Sequence, residues 1–274
     1  MDVTGAIKVA RLTDVGLHRD HNEDAIASDL TIGLVMLADG MGGYKAGEVA
    51  SEIAVLVVAA ELAELMLEKN ILKKAKIQLL PESEMLIEAI NNANRAIYQT
   101  SLEEIKCAGM GTTLVAGLFT NNKIIVAHVG DSRMYQLRDK ALTQLTEDHS
   151  LLQEQINAGE LTQAEAKASP NKNLVTRALG IDSEVDLSLI EHDVQVGDVY
   201  LLCSDGLSDM VTDEEIRVML LEAGDNIERA SVNLVRFANE KGGKDNISVV
   251  VAYVKKDFSS KHLWVKKLLG KAKK

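Results

Sequence analysis

Short, unbroken apolar runs alternate along this chain with longer stretches in which apolar residues recur at helical spacing. Leu34-Val-Met-Leu-Ala-Asp-Gly-Met-Gly-Gly43, Ile124-Ile-Val-Ala-His-Val-Gly-Asp131, Val199-Tyr-Leu-Leu-Cys-Ser-Asp-Gly206 and Ile247-Ser-Val-Val-Val-Ala-Tyr-Val254 are of the first kind. Such runs read as strands buried on both faces. Further strands are predicted over 7–13, 109–119, 132–138, 141–145 and 187–190. Asn121-Asn122 and Asp139-Lys140 serve as turns, so that 109–145 forms an antiparallel meander. Helices are predicted over 45–68, with Ile53, Leu56, Val57, Ala60, Leu65 and Met66 facing a core, and over 82–100, 213–221 and 226–240. Residues 71–80, ending at Pro81, read as a loop or short helical insertion. Long helices between groups of strands predict helices covering a sheet. The polar stretch after Ser150 has few deep apolar positions and reads as a mobile flap.

Three of the buried runs end in an aspartate: Asp39, Asp131 and Asp205. A fourth acid, Asp245, immediately precedes the last run. One Asp-Gly pair alone is usually a turn, because glycine tolerates positive φ and aspartate caps its own backbone. Four acids at strand ends are a different matter, since clustered carboxylates repel unless a cation holds them together. The glycines after Asp39 are expected to stop its strand, leaving that carboxylate at the rim of the sheet. Hard oxygen donors, with a possible backbone carbonyl from Gly40 and no Cys or His ligand pattern, suit Mg²⁺ or Mn²⁺ better than Zn²⁺.

Upstream, Leu17-His-Arg-Asp-His-Asn-Glu-Asp24 is polar or ionisable after its first residue, as a solvated loop would be. A short hairpin then places Arg19 and Glu23 near Asp39. An arginine there suits bidentate contact with a phosphate, and Glu23 is a further oxygen ligand. His18 and His21 read as incidental and receive no catalytic role.

The chain has 274 residues, 46% of them hydrophobic but only 3% aromatic, so it holds enough aliphatic side chains for a sizeable core. The formal charge is -11 and unevenly placed: residues 255–274 carry eight lysines and one aspartate, against an acidic body. That balance disfavours nucleic acid and fits a divalent-cation protein. Cys107 and Cys203 lie in apolar settings and are expected to be buried free thiols in a reducing compartment. The first residues lack the pattern of a secretory signal, and the longest apolar patch, 53–60, is too short to span a bilayer. A cytoplasmic monomer is expected.

Several segments, in order, resemble the bacterial type 2C metal-dependent serine/threonine protein phosphatases. They are Arg19-Asp-His-Asn-Glu-Asp24, Ala38-Asp-Gly-Met-Gly-Gly43, Gly47-Glu48, Gly111-Thr-Thr113, Val129-Gly-Asp-Ser-Arg133, Thr146-Glu-Asp-His-Ser150, Thr176-Arg-Ala-Leu-Gly180, Ser204-Asp-Gly-Leu-Ser-Asp209 and Gly243-Lys-Asp-Asn246. The resemblance implies an α+β fold, an αββα sandwich of two antiparallel sheets flanked by helix pairs. It would occupy residues 1–254, with a small flap over about 150–178. It further implies two Mn²⁺ or Mg²⁺ ions and a possible third. Asp39 would bridge the first two, Asp205 and Asp245 would complete one, and Glu23 with the Gly40 carbonyl the other. Asp131 and Asp209 with Asp205 would hold the third. Asp24 would steady ligand waters, Asn246 would orient the last loop, and Arg19 would grip the phosphate. A hydroxide bridging the ions would attack phosphorus directly, with no phosphoenzyme.

Met41 stands where animal relatives carry a proposed general acid, so a metal-bound water would protonate the leaving group. Tyr44 and Ser169 replace histidines common in bacterial relatives, which bears on substrate preference and the flap. The implied partners are phosphoproteins and an opposing Ser/Thr kinase. In the basic tail, Leu263, Trp264, Val265, Leu268 and Leu269 would line one apolar face if helical, suited to an anionic membrane or acidic partner, the plainer alternative being a frayed, solubilising terminus. The rival readings are a catalytically dead binding module, which would have lost metal carboxylates, and a two-metal phosphoesterase of another class.

Overall fold

Two antiparallel sheets account for the buried runs. In this computed structural model, which describes residues 2–43, 45–74, 81–162, 165 and 174–259 (the backbone alone for 70–74), one sheet runs β1 (Ile7–Asp14), β11 (Ile247–Val254), β10 (Val199–Cys203), β7 (Arg133–Arg138) and β8 (Ala141–Gln144). The second runs β2 (Asp24–Asp29), β3 (Leu34–Met41), β5 (Leu114–Thr120), β6 (Lys123–Val129) and β9 (Ser188–Asp193), and the two-residue β4 (Gly111–Thr112) pairs with the end of β3.

Alternation along each strand sorts its side chains between two cores. In β3, Leu34, Met36 and Ala38 pack under helices α1 (Ala46–Lys74) and α2 (Glu82–Glu103), while Val35 and Leu37 point into the space between the sheets. In β10, Leu201 and Cys203 meet α5 (Asp213–Ala223) and α6 (Ile227–Glu240), and Tyr200 and Leu202 face the other sheet. Each central strand is therefore apolar throughout because each is sandwiched on both sides. The layers are helices, sheet, sheet, helices, as expected. Phe119, Tyr200 and Phe258 fill the middle with edge-to-face contacts, Phe119 to Tyr200 at 5.4 Å between ring centroids.

Several details differ from the sequence reading. The meander is not one sheet: β5 and β6 form a hairpin in the second sheet, and the chain then crosses at 130–132 so that β7 and β8 form a hairpin in the first. Both hairpins turn on two residues of positive φ, Asn121 and Asn122 (49° and 59°) and Asp139 and Lys140 (49° and 69°). That geometry matches the twist of the strands. Helix α1 continues to Lys74, past the expected end, and 75–80 lie outside the described residues. Its core face is Ala50, Ala54, Val58 and Leu62, whereas Leu56 is 67% exposed. The helix is apolar on nearly all sides, so spacing alone did not select the inner face. Cys203 is buried as expected but Cys107 only partly, and both thiols are free. Of the flap, a short helix α3 (Leu151–Asn157) and the bridge between Ser150 and Val175 are described. Tyr44, Ser169 and the tail from residue 260 lie outside the described residues. Among those residues, no helix is long and apolar enough to cross a membrane.

Candidate active site

Four chain segments deliver acids to one end of the sandwich. Asp24 opens β2 and pairs directly across from Asp39 in β3. Asp131 lies in the crossing between β6 and β7, and Asp205 follows β10 as the first residue of a one-turn helix α4 (Asp205–Ser208). Asp245 sits in the loop that enters β11. The strand-end reading holds for Asp131, Asp205 and Asp245. It is corrected for Asp39, because β3 does not stop at Gly40: Gly40 and Met41 pair with Thr112 and Gly111 of β4, so Asp39 lies within a strand.

Hydroxyls and amides fix these acids. The Asp39 N–H donates to Thr113 Oγ1 at 3.0 Å, the Thr113 hydroxyl lies 2.7 Å from that of Ser132, and Thr112 Oγ1 donates to the Asp39 carbonyl at 2.9 Å. Ser204 Oγ donates to Asp24 Oδ2 at 2.9 Å. Asn246, buried, ties three pieces of backbone together: its Oδ1 accepts from Glu23 N–H at 2.7 Å, and its Nδ2 donates to the carbonyls of Val15 (2.9 Å) and His21 (3.0 Å). The anchoring roles of Thr113, Ser132 and Ser204 were not read from sequence, since isolated hydroxyls carry no periodic signal.

The second sheet and α1 meet closely here, and glycine makes it possible. A Cβ at Gly40 would stand 2.1 Å from the Gly47 carbonyl oxygen and 2.6 Å from that of Glu23, while one at Gly47 would stand 2.8 Å from Glu23 Oε1. Glu23 is thereby pressed between the start of α1 and the end of β3.

The electrostatics record how strongly the acids act on one another. Burial, reinforced by Asp24, Asp205, Asp131 and Asp245, holds the Asp39 carboxyl well above the usual carboxylate range. Burial, then Asp131, Asp245 and Asp209, does the same to Asp205. Asp24 is pushed up to about 6, chiefly by burial, and Asp131 to about 6 by burial and then by Asp148. Asp209, exposed at the end of α4, contributes to both Asp131 and Asp205. Arg19 reaches in from the loop before β2, its Nη2 2.6 Å from Asp245 Oδ2. It is half exposed, at 48%.

The donor set fits hard divalent cations. Asp24 Oδ1 is buried without a hydrogen-bond partner, Glu23 Oε1 has the His21 imidazole at 3.3 Å, and the surrounding carboxylates cannot all ionise without a positive charge among them. As their side chains stand, no three Asp, Glu, His or Cys residues among those described are arranged to hold a metal ion.

The architecture and this acid-lined end define a metal-dependent protein phosphatase, a hydrolase of phosphate monoesters on proteins. A family model described as Protein phosphatase 2C matches residues 18–244, and the chain belongs to that family. The serine/threonine phosphatase stp of Listeria monocytogenes is 39% identical over 252 residues, covering 91% of this chain and 96% of that protein. The serine/threonine protein phosphatase PstP of Mycobacterium tuberculosis is 40% identical over 92% of this chain and 46% of its own length. The crystal structure of PstP/Ppp from that organism superposes with a TM-score of 0.81 at 38% identity, over 92% of this chain and all of that one. A PstP catalytic domain solved in complex with two manganese ions superposes with a TM-score of 0.77 at 39% identity, over 92% of this chain and 99% of that one.

Proposed function

We propose that this chain hydrolyses phosphoserine and phosphothreonine on proteins, using two Mn²⁺ or Mg²⁺ ions and a possible third. The observation that carries this reading is the gathering of Asp39, Asp131, Asp205 and Asp245 from two sheets around a half-exposed arginine. Asp39, Asp205, Asp245, Glu23 and the Gly40 carbonyl would hold the two ions, and Asp131 and Asp209 with Asp205 the third. Ions held there would lower the pKa of a water toward neutrality and offset the charge that develops on the phosphoryl oxygens.

The chain's own groups do the rest. Arg19 presents two parallel N–H donors, a match for two phosphoryl oxygens, and its exposure lets it reach a phosphate carried on another protein. Asp24, hydrogen-bonded by Ser204, keeps Oδ1 free to accept from a water near the ions. Asn246 holds the loops of Glu23 and Asp245 in register. No Ser or Cys nucleophile is required, and Cys203, buried with its thiol pushed up to about 12, is unsuited to be one. Asp39, Asp205 and Asp245 are all present, which disfavours the dead-module reading. An opposing Ser/Thr kinase, a cytoplasmic setting, a monomeric state and a membrane or acidic partner for the basic tail complete the proposal.

The test is release of phosphate from a phosphothreonine peptide, with Asp205→Asn beside the unaltered chain. Activity is expected with Mn²⁺ and at least a hundredfold loss, about 3 kcal/mol, in the variant. Equal rates for the two, or activity that survives EDTA, reject the reading.

A further inference from the structure

We infer that the apolar groove between β1, the loop of Leu17 and helix α6 receives an apolar side chain of the phosphoprotein substrate, a few residues from its phosphorylated residue. The inference rests on the reading of Arg19 as the phosphate contact. The groove has a volume of about 460 Å³ and is walled by Leu12, Leu17, Val232 and Val235. Leu17 is 66% exposed and Val232 54%, so branched apolar side chains from two different elements stand largely in water there. Val232 lies outside the stripe of α6 that faces the core, at a position where helical spacing places a polar residue. The polar groups that border the groove are occupied with one another: Asp14 Oδ1 accepts from Gly16 N–H (2.9 Å) and Asn239 Nδ2 (3.0 Å), and Arg236 pairs with Glu240 at 3.6 Å. What remains for a ligand is apolar surface, which another apolar side chain removes from water.

Continuity with the phosphate contact names the occupant. Leu17 stands two residues before Arg19, its N–H donates to the Gly243 carbonyl at 2.7 Å, and a Cβ at Gly243 would meet Leu17 Cγ at 2.8 Å. One wall of the groove therefore rests on the loop that carries Asp245. Gly16 tightens the same junction: its φ is 78°, and a Cβ there would stand 2.2 Å from the Asp245 carbonyl oxygen. Two residues of chain span at most about 7 Å, and the Arg19 side chain adds its own length, so an extended peptide with its phosphate at Arg19 reaches the groove in about three to five residues. The described part of the flap joins the site from the Asp131 side instead, where Thr176 N–H donates to the His149 carbonyl and His149 N–H to that of Gly130.

The experiment uses the full chain with Mn²⁺ and a set of phosphothreonine peptides, otherwise of Ala, Ser and Gly, in which a single Leu is moved stepwise along both sides of the phosphothreonine. Leu at one position, about three to five residues away, is expected to raise kcat/KM about tenfold over the Leu-free peptide, with the gain in KM rather than kcat. That advantage is expected to vanish in Val232→Asp and to persist in Val218→Asp, which lies on α5 outside the groove. Rates within about twofold for every Leu position, or an advantage that survives Val232→Asp, overturn the inference while leaving the phosphatase reading intact. Failure to hydrolyse any of the peptides overturns that reading as well. A dimer that Val232→Asp dissolves assigns the groove to a second copy, and an advantage that appears only after removal of residues 260–274 assigns it to the chain's own tail; either result overturns the inference. The comparison among peptides on the unaltered chain stands even where a variant folds poorly.

Discussion

Arg19 Nη2 and Asp245 Oδ2 lie 2.6 Å apart although 226 residues separate them in the chain. In this arrangement Arg19, the proposed phosphate contact, and Asp245, a proposed cation ligand, neutralise each other. On that reading an ion held by Asp245 would free Arg19 for substrate and so couple cation and phosphate binding. Arg19→Lys keeps the charge but loses the fork, and kcat/KM for a phosphopeptide is expected to fall about thirtyfold, roughly 2 kcal/mol. Steady-state kinetics at saturating Mn²⁺ check this; a change confined within twofold would show that Arg19 does not grip the phosphate.

Gly40→Ala places a methyl group 2.1 Å from one carbonyl oxygen and 2.6 Å from another, both backbone. Neither neighbour is a side chain that can swing away. Destabilisation of about 3 kcal/mol is expected, measured by denaturant unfolding. An unchanged unfolding midpoint would mean that α1 is not pressed against β3 there.

Asn246→Ala removes three hydrogen bonds without removing any proposed ligand. Stability is expected to drop by roughly 2–4 kcal/mol, and Mn²⁺ affinity about tenfold, because the loop that carries Asp245 is no longer tied to the backbone of Glu23. Denaturant unfolding reads the stability and calorimetric titration with Mn²⁺ the affinity, and undiminished affinity would contradict the anchoring role.

The stabilising effect of Mn²⁺ is expected to depend on pH. Asp24 and Asp131 titrate in the fold near 6, above their ordinary 3.8. A carboxylate raised in this way stabilises the cation-free fold below its unfolded pKa and loses that contribution as pH rises through about 6. Above that range the cation-free fold is weakest, and cations bind best because no proton competes. The rise in Tm on adding Mn²⁺ should therefore be larger at about pH 7.5 than at about pH 5.5. A rise that is equal or larger at the lower pH would refute the raised carboxylates.

The buried histidines act in the opposite sense. His149, stacked on His128 with ring centroids 4.6 Å apart, is pushed down to about 4, first by burial and then by His128. Its neutral form contributes stability above the unfolded value of 6.5, lost as pH falls toward 4. His149→Gln is expected to flatten the fall of Tm between those limits in the Mn²⁺-loaded protein. An unaltered slope would mean that other groups set the acid limit.

Much of this was legible in sequence because doubly buried strands leave an unmistakable apolar run, and Asp131, Asp205 and Asp245 stand at the ends of such runs. The edge strand β2 was not, since Asp24-Ala-Ile-Ala-Ser-Asp29 is partly buried at every position and carries little hydrophobic signal. Nor was the continuation of β3 through Gly40, which depends on pairing with β4 some 70 residues later.

The interior between the sheets carries one further implication. Glu23, Asp24 and Asp39 ride on the second sheet, Asp205 and Asp245 on the first, and Phe119, Tyr200 and Phe258 are the wedge between. Trimming that wedge would remove edge-to-face packing that holds the two slabs apart, and the proposed ligands ride on both of them. On the proposed reading, variants far from any charged group would therefore bear on the fit of the ions.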